Sequence, residues 1–137
     1  MFRKLDSTIS VFGQIEPEDV AAAKAQGFTT VINNRPDNEQ PGQPASAEIE
    51  AAAKAEGMDY VAIPVDHSGF NESQVKAMAD ALEKATGPVL AFCRSGTRST
   101  YLWALARHQL GDDGEQLIAK AANAGYDLGA IRPILSA

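Results

Sequence analysis

The sequence predicts a single α/β domain, a three-layer sandwich with a mostly parallel central sheet. Three observations lead there. Short β-type runs alternate with alanine-rich helical stretches along the chain, which is the order of elements that builds a parallel sheet. The run "PVLAF" at 88–92 is apolar throughout, as a strand covered on both faces must be. The 137 residues fit one compact domain, 1–137, with room for a real core.

The elements follow in order. "TISVFG" (8–13) reads as the first strand. "PEDVAAAKAQG" (17–27) reads as a helix, with Pro17 at its first position, acids in the first turn and Gly27 as its stop. "FTTVIN" (28–33) is rich in β-branched residues and reads as a strand. "RPDNEQPGQP" (35–44) carries three of the seven prolines and reads as a loop, either ordered or mobile. A helix over 46–57 and a strand over 58–65 come next. The loop "DHSGF" (66–70) precedes the clearest helix, 71–87, where Asn71 and Gln74 have capping-box spacing. Val75, Met78, Ala79 and Leu82 share one face of that helix. After the 88–92 strand, "RSTYLWALARHQL" (98–110) reads as a buried helix, and 115–135 as one or two closing helices.

Composition narrows the chemistry. A net charge of −6 argues against nucleic acid or an anionic membrane as the main partner, while leaving room for a small anion in a local positive pocket. One cysteine and two histidines cannot form a disulfide or a zinc site, and the sequence calls for no metal or cofactor. "MFRKLDSTIS" lacks the apolar segment of a signal peptide, and no run approaches a membrane span, so a reducing cytoplasm is the expected compartment.

Cys93 then stands out. It follows the central strand in "PVLAFCRSGTRST", at the carboxyl edge where α/β sheets bind ligands. The loop amides, the dipole of the following helix, Arg94 and Arg98 together favour the thiolate. Gly96 lets the backbone curl, Ser95 and Thr97 complete an anion-binding loop, and Ser99 can hydrogen-bond the sulfur. A buried structural cysteine is the bland reading, and the whole string Cys-Arg-Ser-Gly-Thr-Arg-Ser weighs against it.

A cysteine, a short loop and an arginine at a strand-to-helix junction resemble the loop shared by protein tyrosine phosphatases, dual-specificity phosphatases and rhodanese sulfurtransferases. More specifically, "FGQIEPEDVAAAKAQGFTTVINNRPDNEQ", "YVAIPVD", "CRSGTRS" and "AKAANAGYDL" resemble a small bacterial phosphatase-like family. That family is found alone or fused to beta-lactamase-like, persulfide-dioxygenase-type domains, the beta-lactamase-hydrolase-like proteins. The resemblance implies a dual-specificity phosphatase-like fold, with the catalytic pair falling on Cys93 and Arg98. It also makes a persulfide-dioxygenase-like enzyme a candidate partner.

Spacing separates two chemistries. The resembling phosphatases place five residues between cysteine and arginine, and this chain places four, Arg94 to Thr97, with Phe92 where a histidine is usual. A phosphoryl group needs a cradle for three equatorial oxygens. The shorter loop looks like that of rhodaneses, so the leading expectation is a sulfurtransferase. Cys93 would take the outer sulfur of thiosulfate or another persulfide-type donor and pass it to a thiol acceptor or cyanide. The alternative is a phosphate-ester hydrolase working through phosphocysteine, with Asp66 protonating the leaving oxygen. Asp66 reads equally as that general acid or as a turn aspartate. His67 could assist it, but reads first as a solvated loop residue. Arg35 reads equally as an anion ligand or as the anchor of the proline-rich loop. Trp103 reads as a packing residue and His108 as a satisfied core histidine, both on the buried helix. A third expectation is a non-catalytic anion-binding partner domain, against which the intact Cys93 and Arg98 argue.

Overall fold

The computed structural model describes residues 2–136. Five strands form one sheet in the order β1-β2-β5-β3-β4. They are β1 (Arg3–Asp6), β2 (Ile9–Phe12), β3 (Thr30–Asn33), β4 (Asp59–Ala62) and β5 (Val89–Phe92). β2, β5, β3 and β4 run parallel, and β1 pairs antiparallel with β2 at the edge. Helices α1 (Pro17–Ala25) and α2 (Ser46–Ala55) pack together on one face. Helices α3 (Glu72–Lys84), α4 (Thr97–Gln109) and α5 (Gly114–Asn123) pack on the other. A 3₁₀ turn and the short α6 (Arg132–Leu135) close the chain. The three layers and the mostly parallel sheet are those expected from the sequence.

Two apolar cores follow from the two helical layers. Ile15, Val20, Val31, Ile49, Leu90 and Phe92 fill one, and Val11, Ile32, Met78, Ala91, Leu102 and Trp103 fill the other. Alternate residues of β5 serve opposite cores, which is why 88–92 had to be apolar throughout. Each fully buried Leu, Ile or Phe adds about 1.5–3 kcal/mol. Local signals agree with these layers. Pro17 opens α1, and Asn71 and Gln74 cap α3 reciprocally. Gly27 turns the chain after α1 at φ 96°.

The segment Arg3–Asp6 was not expected to be a strand. Leu5 is its only buried residue, so it shows little apolar alternation, and its pairing with β2 is interrupted between Lys4 and Asp6. A polar, irregular edge strand leaves a weak mark in a sequence. No helix among the described residues is long and apolar enough to cross a membrane.

Register decides where the chemistry gathers. Phe92 pairs with Phe12 on one side and with Asn33 on the other. Asn33 in turn pairs with Ala62 of β4. Four parallel strands therefore end level, and the loops that leave them at 13–16, 34–44, 63–70 and 93–96 crowd one edge of the sheet.

Candidate active site

The loop after β5 is held by its carbonyls and opens with its amides. The Cys93 N–H donates to Phe12 O at 3.4 Å, tying the start of the loop to β2. The Arg94 carbonyl accepts Gln14 N–H at 3.2 Å. The Ser95 carbonyl accepts the Tyr126 hydroxyl at 3.1 Å. The Gly96 carbonyl accepts both Thr100 N–H and Thr100 Oγ1–H, at 3.0 and 2.8 Å. With the carbonyls turned outward, the amides of Arg94, Ser95, Thr97 and Arg98 have no acceptor among the described residues. Such a run of amides at the start of a helix is a nest for an anion. The Gly96 N–H donates to Cys93 Sγ at 3.1 Å, and Cys93 is fully buried at the bottom of the loop. Gly96 holds φ at 91°, the left-handed region that glycine enters without a Cβ penalty.

Arg98 comes to this loop on the first turn of α4, which starts at Thr97. Its Nη1 donates to Val65 O at 2.6 Å and to Glu39 Oε2 at 2.8 Å, and its Nη2 donates to Glu39 Oε1 at 2.8 Å. The guanidinium has five N–H donors, so two remain. These are Nε–H and the second Nη2–H, a side-on fork with no oxygen acceptor among the described residues. The Arg98 pKa is raised, first by the hydrogen bonds to Glu39, against the cost of burial, and then by the neighbouring Cys93 sulfur.

Glu39 is the residue the sequence reading did not single out. It lies in the proline-rich loop, where Asn38 adopts a left-handed φ of 65° and turns the chain back toward the sheet. Arg98 and then Arg35 hold the Glu39 carboxyl at about 2, against partial burial. The loop is ordered by its own bonds. Gln43 accepts from Glu39 N–H and donates to Pro36 O, and Asp37 accepts Ser46 N–H at the start of α2.

The other residues singled out in the sequence divide. Arg35 is buried and donates to Glu39, Gln14 and Gln40, so of its two readings the structure carries the anchor. Arg94 is exposed, and its side chain makes no hydrogen bond among the described residues. Ser95 and Thr97 are exposed and bonded to each other at 3.1 Å. Ser99 corrects an expectation: its hydroxyl is buried without a partner among the described residues and gives no hydrogen bond to the sulfur, because the helix turns it into the interior. Asp66 is exposed, immediately after the Val65 carbonyl that Arg98 grips. Two bonds from Ser68, hydroxyl and amide, hold the Asp66 carboxyl below its ordinary value. His67 is exposed beside it, without a hydrogen bond among the described residues. Trp103 is buried in the core as expected, and half-buried His108 meets the Asp112 carbonyl at 3.3 Å.

Comparison with known proteins gives the family and the fold. The family described as "Beta-lactamase hydrolase-like protein, phosphatase-like domain" matches residues 1–110. A beta-lactamase hydrolase-like protein of Agrobacterium fabrum is 39% identical over 102 residues, 74% of this chain and 24% of its own length. The chain thus spans about a quarter of the curated relatives it matches. A crystal structure of a candidate phosphatase from Neisseria meningitidis is 32% identical, with a TM-score of 0.82 over 96% of this chain and 94% of that one. Pseudomonas aeruginosa TpbA, solved in complex with phosphotyrosine, shares the fold at 16% identity, with a TM-score of 0.63 over 98% and 89% of the two chains. On the family match and the shared architecture, the chain belongs to the phosphatase-like domain family of beta-lactamase hydrolase-like proteins, as its sequence resemblance implied.

Proposed function

We propose that this domain is a cysteine-dependent hydrolase of phosphate esters. The observation that carries the reading is the pairing of a nest of open amides around Cys93 with a side-on fork of Arg98 that has no oxygen acceptor among the described residues. A bidentate arginine fork and backbone amides suit a tetrahedral oxyanion. The family match and the likeness to phosphatases support phosphate as that anion.

In this reading the Cys93 thiolate attacks phosphorus in line, forming the S–P bond as the P–O bond to the leaving group breaks. The leaving oxygen takes its proton from the Asp66 carboxyl. The resulting Asp66 carboxylate then removes a proton from a water molecule, which displaces sulfur from phosphorus. Inorganic phosphate leaves and the thiolate is restored. The Arg98 fork and the loop amides stay on the equatorial oxygens throughout.

Sulfur transfer, the leading expectation from the sequence, is kept as a second reading by two observations. Four residues separate Cys93 from Arg98, which makes a small cradle. Asp66 is exposed and held toward its ionised form, which does not favour an acid catalyst. Here Cys93 would take one sulfur from thiosulfate, releasing sulfite, and pass it to a thiol or cyanide. Incubation with an aryl phosphate or with thiosulfate, followed by intact-mass analysis, separates the readings. The expected result is ester hydrolysis that disappears in Cys93→Ser. A Cys93 persulfide discharged by cyanide, with no ester hydrolysis, would overturn the phosphatase reading.

A further inference from the structure

The Ser95–Gly96 peptide is held at both ends. Its carbonyl accepts the Tyr126 hydroxyl at 3.1 Å, and its N–H donates to Cys93 Sγ at 3.1 Å. Because the peptide unit is planar, fixing the carbonyl fixes the direction of the N–H. A rotation of this one unit would aim the carbonyl oxygen at the sulfur and withdraw the amide. Two features oppose that rotation. Tyr126 bonds the carbonyl on the outer side, and the phenol abuts Gly96 so closely that a Cβ there would lie 2.2 Å from the hydroxyl oxygen. Tyr126 is itself braced. The Arg3 guanidinium lies 5.8 Å from its ring centroid and donates to Ala124 O at 3.1 Å, and Tyr126 N–H donates to Ala121 O at 2.9 Å.

We infer that Tyr126 is a positioning residue for the nucleophile, acting through the Ser95–Gly96 peptide to keep the Gly96 N–H directed at Cys93. The inference rests on Cys93 being the nucleophile, as proposed above, and Tyr126 lies beyond residues 1–110, where the family match ends. The charged and titratable groups around the sulfur are Arg98 from α4 and the Tyr126 phenol from the segment after α5. Glu39 and Asp66 act on the sulfur's surroundings through Arg98. None of these replaces a backbone N–H bonded to the sulfur.

The test is Tyr126→Phe, which removes one hydroxyl and keeps the ring against Gly96. Alkylation of Cys93 by iodoacetamide at neutral pH should slow by about three- to tenfold, the range of one net hydrogen bond. The Gly96 amide resonance should move and its hydrogen exchange should quicken. In the ester hydrolysis assay kcat should fall by a similar factor, with KM changed by less than about twofold. Arg3→Gln, which loosens the brace without touching the loop, should give a smaller loss of the same kind. Wild-type alkylation rates and an unmoved Gly96 resonance in folded Tyr126→Phe overturn the inference. Alkylation needs neither phosphate ester nor thiosulfate, so this outcome is read separately from the failure of the proposed reaction.

Discussion

Glu39 and Arg98, 59 residues apart in the chain, form a two-pronged ion pair at 2.8 Å on each side. The pair uses the end of the guanidinium and leaves its flank without an oxygen acceptor among the described residues. Arg35, 3% exposed, binds the same carboxylate at 2.8 Å, so Glu39 is the pivot between a buried arginine and the one beside the Cys93 loop.

Glu39→Gln should therefore harm both activity and stability. Replacing one carboxylate oxygen by an NH₂ turns an acceptor toward donors and removes a charge-assisted bond, each such bond being about 1.5–3 kcal/mol. We expect kcat/KM for an aryl phosphate to fall by about 10–100-fold. Buried Arg35 also loses its anion, which should cost about 3 kcal/mol in urea unfolding.

Acid stability follows from the same carboxyl. Its folded value of about 2 lies below the ordinary 4.5, so its contribution is fully present above pH 4.5 and is lost as pH falls toward 2. One proton taken up on unfolding gives a slope of up to about 1.4 kcal/mol per pH unit in that window. The Asp6 and Asp112 carboxyls are also held below their ordinary value, so the informative quantity is the difference from Glu39→Gln. That variant should show a slope shallower by up to one proton between pH 4.5 and 2, and the same slope as wild type above pH 5.

Asp66 and Ser68 test the general acid. Asp66→Asn should lower kcat by about 100-fold for an alkyl phosphate and far less for an aryl phosphate with a good leaving group. A general acid must be protonated, so activity declines as pH rises through its pKa. Ser68 lowers that value, and Ser68→Ala should shift the descending limb of the kcat–pH profile to higher pH. An unmoved limb would remove Asp66 from the role.

Gly96→Ala should destabilise the protein by about 1–3 kcal/mol through its left-handed φ alone, with more from the approach to Tyr126 and to Phe12 O. Adding Tyr126→Ala relieves the contact but not the backbone strain. The double variant should recover part of the melting temperature and none of the activity. Thermal melts and an aryl phosphate assay on Gly96→Ala, Tyr126→Ala and the double variant check this.

Much of the fold was legible because its signals are local. Apolar runs, Pro17 at a helix start, the Asn71–Gln74 box and glycines after helices each act within a few residues. β1 was not, because its place depends on β2 and its own residues are mostly polar. Within the site, Cys93, Gly96 and Arg98 are neighbours in one loop and could be read together. Glu39, Gln14 and Tyr126 lie far from that loop in the chain, in stretches that carried the family resemblance without marking these residues for a place beside Cys93.

The sequence by itself determined the strand that carries Cys93, the glycine that lets the loop turn and the helix that brings Arg98, because short-range sterics and hydrogen bonding settle those. It also carried the family. The tertiary structure alone decided which arginine lies buried within the proline-rich loop and which lies beside the Cys93 loop, since Arg35 and Arg98 meet on one oxygen of the Glu39 carboxylate. It likewise decided which hydroxyls reach the loop, those of Tyr126 and Thr100 rather than that of Ser99, because the packing of α4 and of the segment after α5 sets where those side chains lie.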